Sequence, residues 1–214
     1  MKILDKKNKI YLLDEENFNF PTLDMMKDDL VAVGGDFHPQ RLLNAYENGI
    51  FPWYIDEYNY IHWFSPNKRM VLKPEEMKVS KSLKKSILNK GFVIKSNENF
   101  EAVMRNCSNI KRKHEDSTWI SEEFIQAYTN LHHLDIAFSI ECYLDEELVG
   151  GLYGLLIGDV FCGESMFAKV TDASKVAFYH LCQQAEKNGI ILIDCQVYND
   201  HLASLGAYEI TRED

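Results

Sequence analysis

A chain of 214 residues with 46% apolar content is long enough for a sizeable core in one large domain or two small ones, and its formal net charge of −10 argues against a protein that coats nucleic acid through Lys and Arg. No apolar run approaches the ~18 residues needed to span a bilayer, and the amino terminus (MKILDKKNKIYLLDEENFNF) lacks the long apolar segment of a signal peptide, so a cytoplasmic protein with no membrane partner is expected. The five cysteines are odd in number, widely spaced and never in a C-x-x-C pair, which supports neither a disulfide framework nor a zinc knuckle.

The amino-terminal third has its own character. Residues 20–66 hold four of the five prolines, two of the three tryptophans and the Gly34-Gly35 pair, which predicts turns around one short helix. That helix reads as 39–48: Pro39 suits the first helical position, Leu42, Leu43 and Tyr46 share a face, and Gly49 suits the left-handed residue that ends it. Beyond residue 68 the pattern alternates, predicting a strand near 69–72, a helix near 80–89, a strand near 92–96, and helices near 98–107 and 121–134. Between residues 73 and 95 seven lysines face two acids, a local basic patch whose plain reading is a solvated helix face.

A hairpin follows. Phe138, Ile140, Cys142 and Leu144 alternate with polar residues at period two, Asp145-Glu146 supplies the turn, and the returning strand carries Gly150, Gly151 and Gly154, glycines of the kind that mark a bulge or a close approach. DVFCGESMF reads as another strand. Thr171 or Asp172 then caps a helix whose apolar residues Phe178, Leu181, Cys182 and Ala185 fall on one face, and Gly189 ends it. The last predicted strand, IILIDCQV, is apolar until it meets a carboxylate, a thiol and an amide. The fold class expected is α+β, with hairpin, strand, helix and strand in the order of N-acetyltransferase (GNAT) folds. The domains expected are a small one over residues 1–68 and an acyltransferase domain over 69–214.

Asp194 and Gln196 lie two apart on a strand, so alternation predicts that they share a face, where carboxylate and amide could orient an attacking amine and accept its proton. The plain alternative is a capped turn, with Asp194 bonding backbone N–H groups. Glu164, in CGESMF, is costly to bury unless it meets a donor or a cation. Ser165 lacks the glycine that a G-x-S-x-G elbow requires, and a Cys195–His201 thiolate pair has no further support. His132 and His133 diverge on a helix and make a poor metal pair, and no P-loop occurs, so no metal and no cofactor are expected. Trp53, Trp63 and Trp119 are core aromatics by default. Their functional alternative is stacking on a nucleobase, which needs no positive net charge.

The blocks VGGDFHPQRLLNAYENGIFPWY, HWFSPNKRMVL, STWI, FSIECY, ELVGGLYG, FCGESMF, DASKVAF and LIDCQVYNDHLASLGAYEI, in this order and spacing, resemble the leucyl/phenylalanyl-tRNA–protein transferase family over roughly residues 17–212. The resemblance implies a soluble bacterial enzyme of the N-end rule pathway, and a monomer is expected. Its partners would be leucyl-tRNA or phenylalanyl-tRNA as donor and proteins beginning with Arg or Lys as acceptors. By the same resemblance Trp53 and Trp119 would hold the tRNA's terminal adenosine with Tyr46 close by, and Glu164, Asp194 and Gln196 would line the reaction centre. Lys84 and Lys85 would contact the tRNA backbone. Leu152, Phe161, Met166 and Phe178 are the residues expected to form an apolar pocket for the donor side chain. Phe64 stands where relatives commonly carry Trp, and Leu152 where Met is common.

Two rival readings remain. An acyl-CoA N-acetyltransferase would use the same fold, but its pyrophosphate needs a Gly-rich turn before the helix, and here that turn reads AKVTDASK. A non-catalytic RNA-end binder would keep the tryptophans and lysines, and would lose nothing when Asp194 is replaced.

Overall fold

The computed structural model describes residues 1–110 and 120–214. Its amino-terminal part comprises β1 (Lys2–Asp5), β2 (Ile10–Leu13), β3 (Leu30–Gly34), α1 (Pro39–Glu47), β4 (Phe51–Ile55) and β5 (Ile61–Phe64). These strands form one sheet in the order β1-β2-β3-β5-β4. Helix α1 has the punctuation expected of it, with Pro39 at its start and Gly49 just beyond it at φ +67°. The expectation of mere turns around that helix is corrected by the sheet. The reason lies in the strands, which are only four or five residues long, too short for alternation to stand out, and one of them contains Pro52. Proline is tolerated there because β4 is the sheet's edge, and a bulge between Pro52 and Tyr54 absorbs the irregularity.

The second part begins with β6 (Lys68–Leu72) and runs through α2 (Lys81–Asn89), β7 (Val93–Ser96), α3 (Phe100–Ser108), α4 (Glu122–His133), β8 (Ala137–Leu144), β9 (Glu147–Ile157), β10 (Val160–Ala168), α5 (Ala173–Lys187), β11 (Leu192–Gln196), α6 (Asp200–Ser204) and β12 (Tyr208–Thr211). Seven of its elements form a sheet in the order β12-β6-β11-β10-β9-β8-β7. All its pairings are antiparallel except β10 with β11, which run parallel and are joined by the crossover helix α5. The β8–β9 turn is carried by Asp145 (φ +50°) and Glu146 (φ +66°), the two left-handed residues a tight hairpin needs.

The strand glycines serve packing. A Cβ on Gly150 would lie 2.5 Å from that of Ala173, so the glycine lets the first turn of α5 sit directly on β9. That first turn departs from the expected cap. Asp172 adopts φ +71° and its side chain makes no bond to its own helix; the carboxylate instead accepts from the Ser86 hydroxyl of α2 at 2.7 Å and faces Lys90 at 3.9 Å.

One apolar cluster runs through both parts, joining Trp63, Leu42 and Tyr46 of the first to Phe124, Tyr128 and Phe167 of the second. Trp63 is fully buried and donates from its indole to the Gly34 carbonyl at 2.8 Å, which settles its role as a core aromatic. A second cluster lies under α5 and includes Leu152, Phe161, Phe178 and Ile193. No helix among the described residues is long and apolar enough to cross a membrane.

Candidate active site

Strand β11 is gripped on both sides, by β10 in parallel and by β6 in antiparallel register. Its last two paired residues break the alternation. The register with β6 slips between Asp194 and Gln196, and Gln196 takes φ +63°, a left-handed backbone that a residue with a side chain rarely adopts. The shared face expected of Asp194 and Gln196 is therefore corrected. Asp194 reaches towards β6 and Gln196 towards β10.

Asp194 is 8% exposed and meets Arg69 of β6 in a two-pronged ion pair, with Nε on Oδ1 at 2.8 Å and Nη2 on Oδ2 at 2.6 Å. Its Oδ1 also accepts the Gln196 backbone N–H at 2.9 Å, which is the capped turn of the plain reading. The Gln196 side chain then donates from Nε2 to Glu164 Oε1 at 2.7 Å. Glu164 also accepts from the Tyr46 hydroxyl at 2.6 Å and from the Tyr128 hydroxyl at 3.3 Å, and the two phenols lie 2.5 Å apart. Arg69 Nη1 donates to the Gly49 carbonyl at 2.9 Å. The polar chain thus runs Gly49, Arg69, Asp194, Gln196, Glu164, Tyr46, and both of its ends lie at the carboxy-terminal end of α1.

Burial pushes the Glu164 carboxyl up to about 7, against the hydrogen bonds from Tyr46, Gln196 and Tyr128 that favour its charged form. Burial first, and then Glu164 itself, hold the Tyr46 and Tyr128 phenols well above their ordinary range, so both remain donors. A carboxyl that changes charge near neutrality at the wall of a cavity is suited to proton transfer.

That cavity has a volume of about 550 Å³ and is lined by Glu164 and Gln196, by Trp53 from the bulge of β4, and by the apolar Leu152, Met166 and Phe178. It connects the indole of Trp53 with the polar end of β11. Asp194 does not line it; with Arg69 and Gly49 it faces a separate cleft of about 360 Å³. A carboxylate engaged on both oxygens by a guanidinium and facing elsewhere is poorly placed to accept a proton from an amine in the main cavity, which corrects that half of the Asp194 expectation.

Of the other expected residues, Tyr46 is 5% exposed and supports Glu164 from beneath, while Phe161 is buried in the second apolar cluster and does not line the cavity. Lys84 and Lys85 are exposed on α2. Trp119 lies outside the described residues. Ser165 lines the cavity from a strand and not from an elbow. Cys195 and His201 both line it, but burial, with Asp194 adding to it, raises the Cys195 thiol and disfavours a thiolate. His132 donates from Nδ1 to the Ala137 carbonyl at the start of β8, at 2.8 Å. Two members of the site escaped sequence reasoning. Arg69, in KRMVL, is a charge inside an apolar strand and so demands a buried partner; Tyr128 shares the apolar face of α4, where only its hydroxyl could have set it apart from Phe124 and Leu131.

Comparison with known proteins bears on this arrangement. The model of the leucyl/phenylalanyl-tRNA protein transferase family matches residues 71–214, and that of its N-terminal domain matches residues 35–67. The chain belongs to that family. Among relatives, the leucyl/phenylalanyl-tRNA–protein transferase of Dechloromonas aromatica is 52% identical over 91% of this chain and 84% of its own length. That of Flavobacterium johnsoniae is 48% identical over 96% of both. The crystal structure of FemX shares the fold, with a TM-score of 0.54 over 88% of this chain and 71% of that one at 11% identity. As a leucyl/phenylalanyl-tRNA–protein transferase family member the chain is an aminoacyltransferase, with aminoacyl-tRNA as donor and protein as acceptor.

Proposed function

We propose that this protein, in the cytoplasm and as a monomer, takes leucine or phenylalanine from its tRNA and joins it to proteins beginning with Arg or Lys, marking them for degradation. The observation that carries this reading is the single cavity that has an indole at one wall, an apolar lining, and a hydrogen-bonded carboxyl–amide pair at its polar end. In this reading residues 1–68 and 69–214 are its two domains. Trp53 stacks on the terminal adenine, with Trp119 as its partner, and Leu152, Met166 and Phe178 receive the donor side chain. The acceptor's α-amine attacks the ester carbonyl; a C–N bond forms, the C–O bond to the ribose breaks, and the ribose oxygen departs with a proton.

The ester is already activated, so the protein's task is to hold ester and amine together, a contribution of up to about 7–11 kcal/mol for ideal alignment. With its Nε2 committed to Glu164, Gln196 presents its amide oxygen as the acceptor that orients the amine. Glu164 takes the amine's proton and returns it to the departing oxygen. Asp194 holds Gln196 in place and does not itself move a proton.

The test mixes the protein with labelled Phe-tRNA or Leu-tRNA and a peptide beginning with Arg, without ATP. Label is expected in the peptide; no transfer from either donor to Arg or Lys peptides would overturn the proposal. The acyl-CoA alternative finds no support at α5, whose preceding turn, AKVTDASK, has no glycine to receive a pyrophosphate.

Lys84 and Lys85 are assigned to the tRNA backbone. Replacing both with alanine is expected to weaken aminoacyl-tRNA binding and to reduce the slope of log affinity against log salt by about 1 per lysine. A filter-binding salt titration with an unchanged slope would remove them from the interface.

A further inference from the structure

We propose that Arg69 is a positioning residue of the transfer reaction, locking Gln196 through Asp194 in the one backbone setting that aims its amide at Glu164, and tying that setting to α1 through Gly49. This rests on the proposed transfer and goes beyond it, because Arg69 lies outside the reaction cavity.

All three of its nitrogens are committed, to two partners. Nε and Nη2 take both oxygens of Asp194, and Nη1 takes the Gly49 carbonyl. The guanidinium also lies 4.9 Å from the centre of the Phe51 ring, adjacent in sequence to Pro52 and Trp53 of the cavity wall. Only a planar fork can make this set; a lysine has one nitrogen on a flexible stem. Burial disfavours the charge of Arg69, and Asp194 beside it more than offsets this, holding the group above its ordinary value.

The consequence of this grip appears two residues along. With Asp194 fixed, its Oδ1 is available in one place to receive the Gln196 N–H, and Gln196 is held at φ +63°. A side-chain-bearing residue stays in that region only when its surroundings over-determine it. An ion pair kept for stability alone would need no such geometry, since well-packed apolar residues of similar volume serve as well or better.

The experiment compares Arg69→Lys with a charge-neutral double variant, Arg69→Met with Asp194→Leu. Each is measured for kcat, for KM of aminoacyl-tRNA, for the pH midpoint of kcat and for folding by circular dichroism. Glu164 is faced by Tyr46 of α1, Tyr128 of α4, Gln196 and Asp194 of β11; of these Arg69 holds Asp194 directly and Gln196 through it, and the Gln196 hydrogen bond acts on Glu164 more strongly than the Asp194 charge. Releasing Gln196 removes a donor to the charged carboxylate. The expected result is a kcat lowered about tenfold or more, a tRNA KM within about twofold of wild type, and a pH midpoint moved upward, in at least the double variant while it remains folded. Wild-type kcat and an unmoved midpoint in the folded double variant, or in Arg69→Lys where the double variant does not fold, would overturn the proposal. So would loss of the folded signal in both, which would assign Arg69 to stability alone. An inactive wild-type protein would instead sink the proposed function.

Discussion

Replacing Asp194 with alanine is expected to cost about 3–5 kcal/mol of folding stability and to abolish aminoacyl transfer. The cost comes from what is left behind: the Arg69 guanidinium, 8% exposed, loses the only carboxylate it is bonded to among the described residues, and the Gln196 N–H loses its acceptor. Asp194→Asn is the sharper probe. It keeps an oxygen for the Gln196 N–H while removing the negative charge, so its loss of stability and of rate should both be smaller than those of the alanine variant. Urea unfolding, read beside initial rates at a temperature where both variants are folded, checks this order. A stability loss below 1 kcal/mol for Asp194→Ala would mean that the pair does not hold the strand end.

The largest effect on chemistry is expected at Glu164. Glu164→Gln preserves shape and one acceptor oxygen but cannot take a proton, and the expected loss in kcat is about 10²–10⁴-fold, the range of general acid–base contributions. The pH dependence has a definite sign. Wild-type rate should rise as pH passes through about 7, where the carboxyl ionises, and this limb should vanish in the variant. Folding moves the opposite way. The folded-state value of Glu164 lies above its ordinary 4.5, so its stabilising contribution is complete below about pH 4.5 and is lost as pH rises through about 7. Melting temperatures at pH 5 and pH 8 should therefore fall more in the wild type than in Glu164→Gln. Parallel losses in the two proteins would place the ionisation elsewhere.

The regular elements of the carboxy-terminal part were legible because each carries a period long enough to read. The alternation from Phe138 to Leu144 and the glycine-ended helix before Gly189 stand within a residue or two of their expected bounds. The first sheet was not legible, since strands such as IHWF and FPWYI offer two turns of alternation at most, and the prolines that suggested loops sit where an edge tolerates them. At the site, Glu164, Gln196, Trp53 and three of the apolar residues line one cavity. The placement of Asp194 was beyond reach because a bulge lies between it and Gln196, and a register slip depends on the neighbouring strand, which local sequence does not report. Phe161 failed for a related reason: β10 lines the cavity only from Gly163 onward, and Phe161, two residues earlier, is packed in the cluster under α5.

The polar circuit starts and finishes within four residues of one short helix, at Tyr46 and Gly49, and every other member comes from the second sheet. A protein trimmed to begin at residue 69 would therefore not be a smaller catalyst awaiting its RNA. It would be missing the phenol that steadies the carboxyl and the carbonyl that steadies the guanidinium, so the amino-terminal portion belongs to the candidate site as much as the strand that bears Gln196.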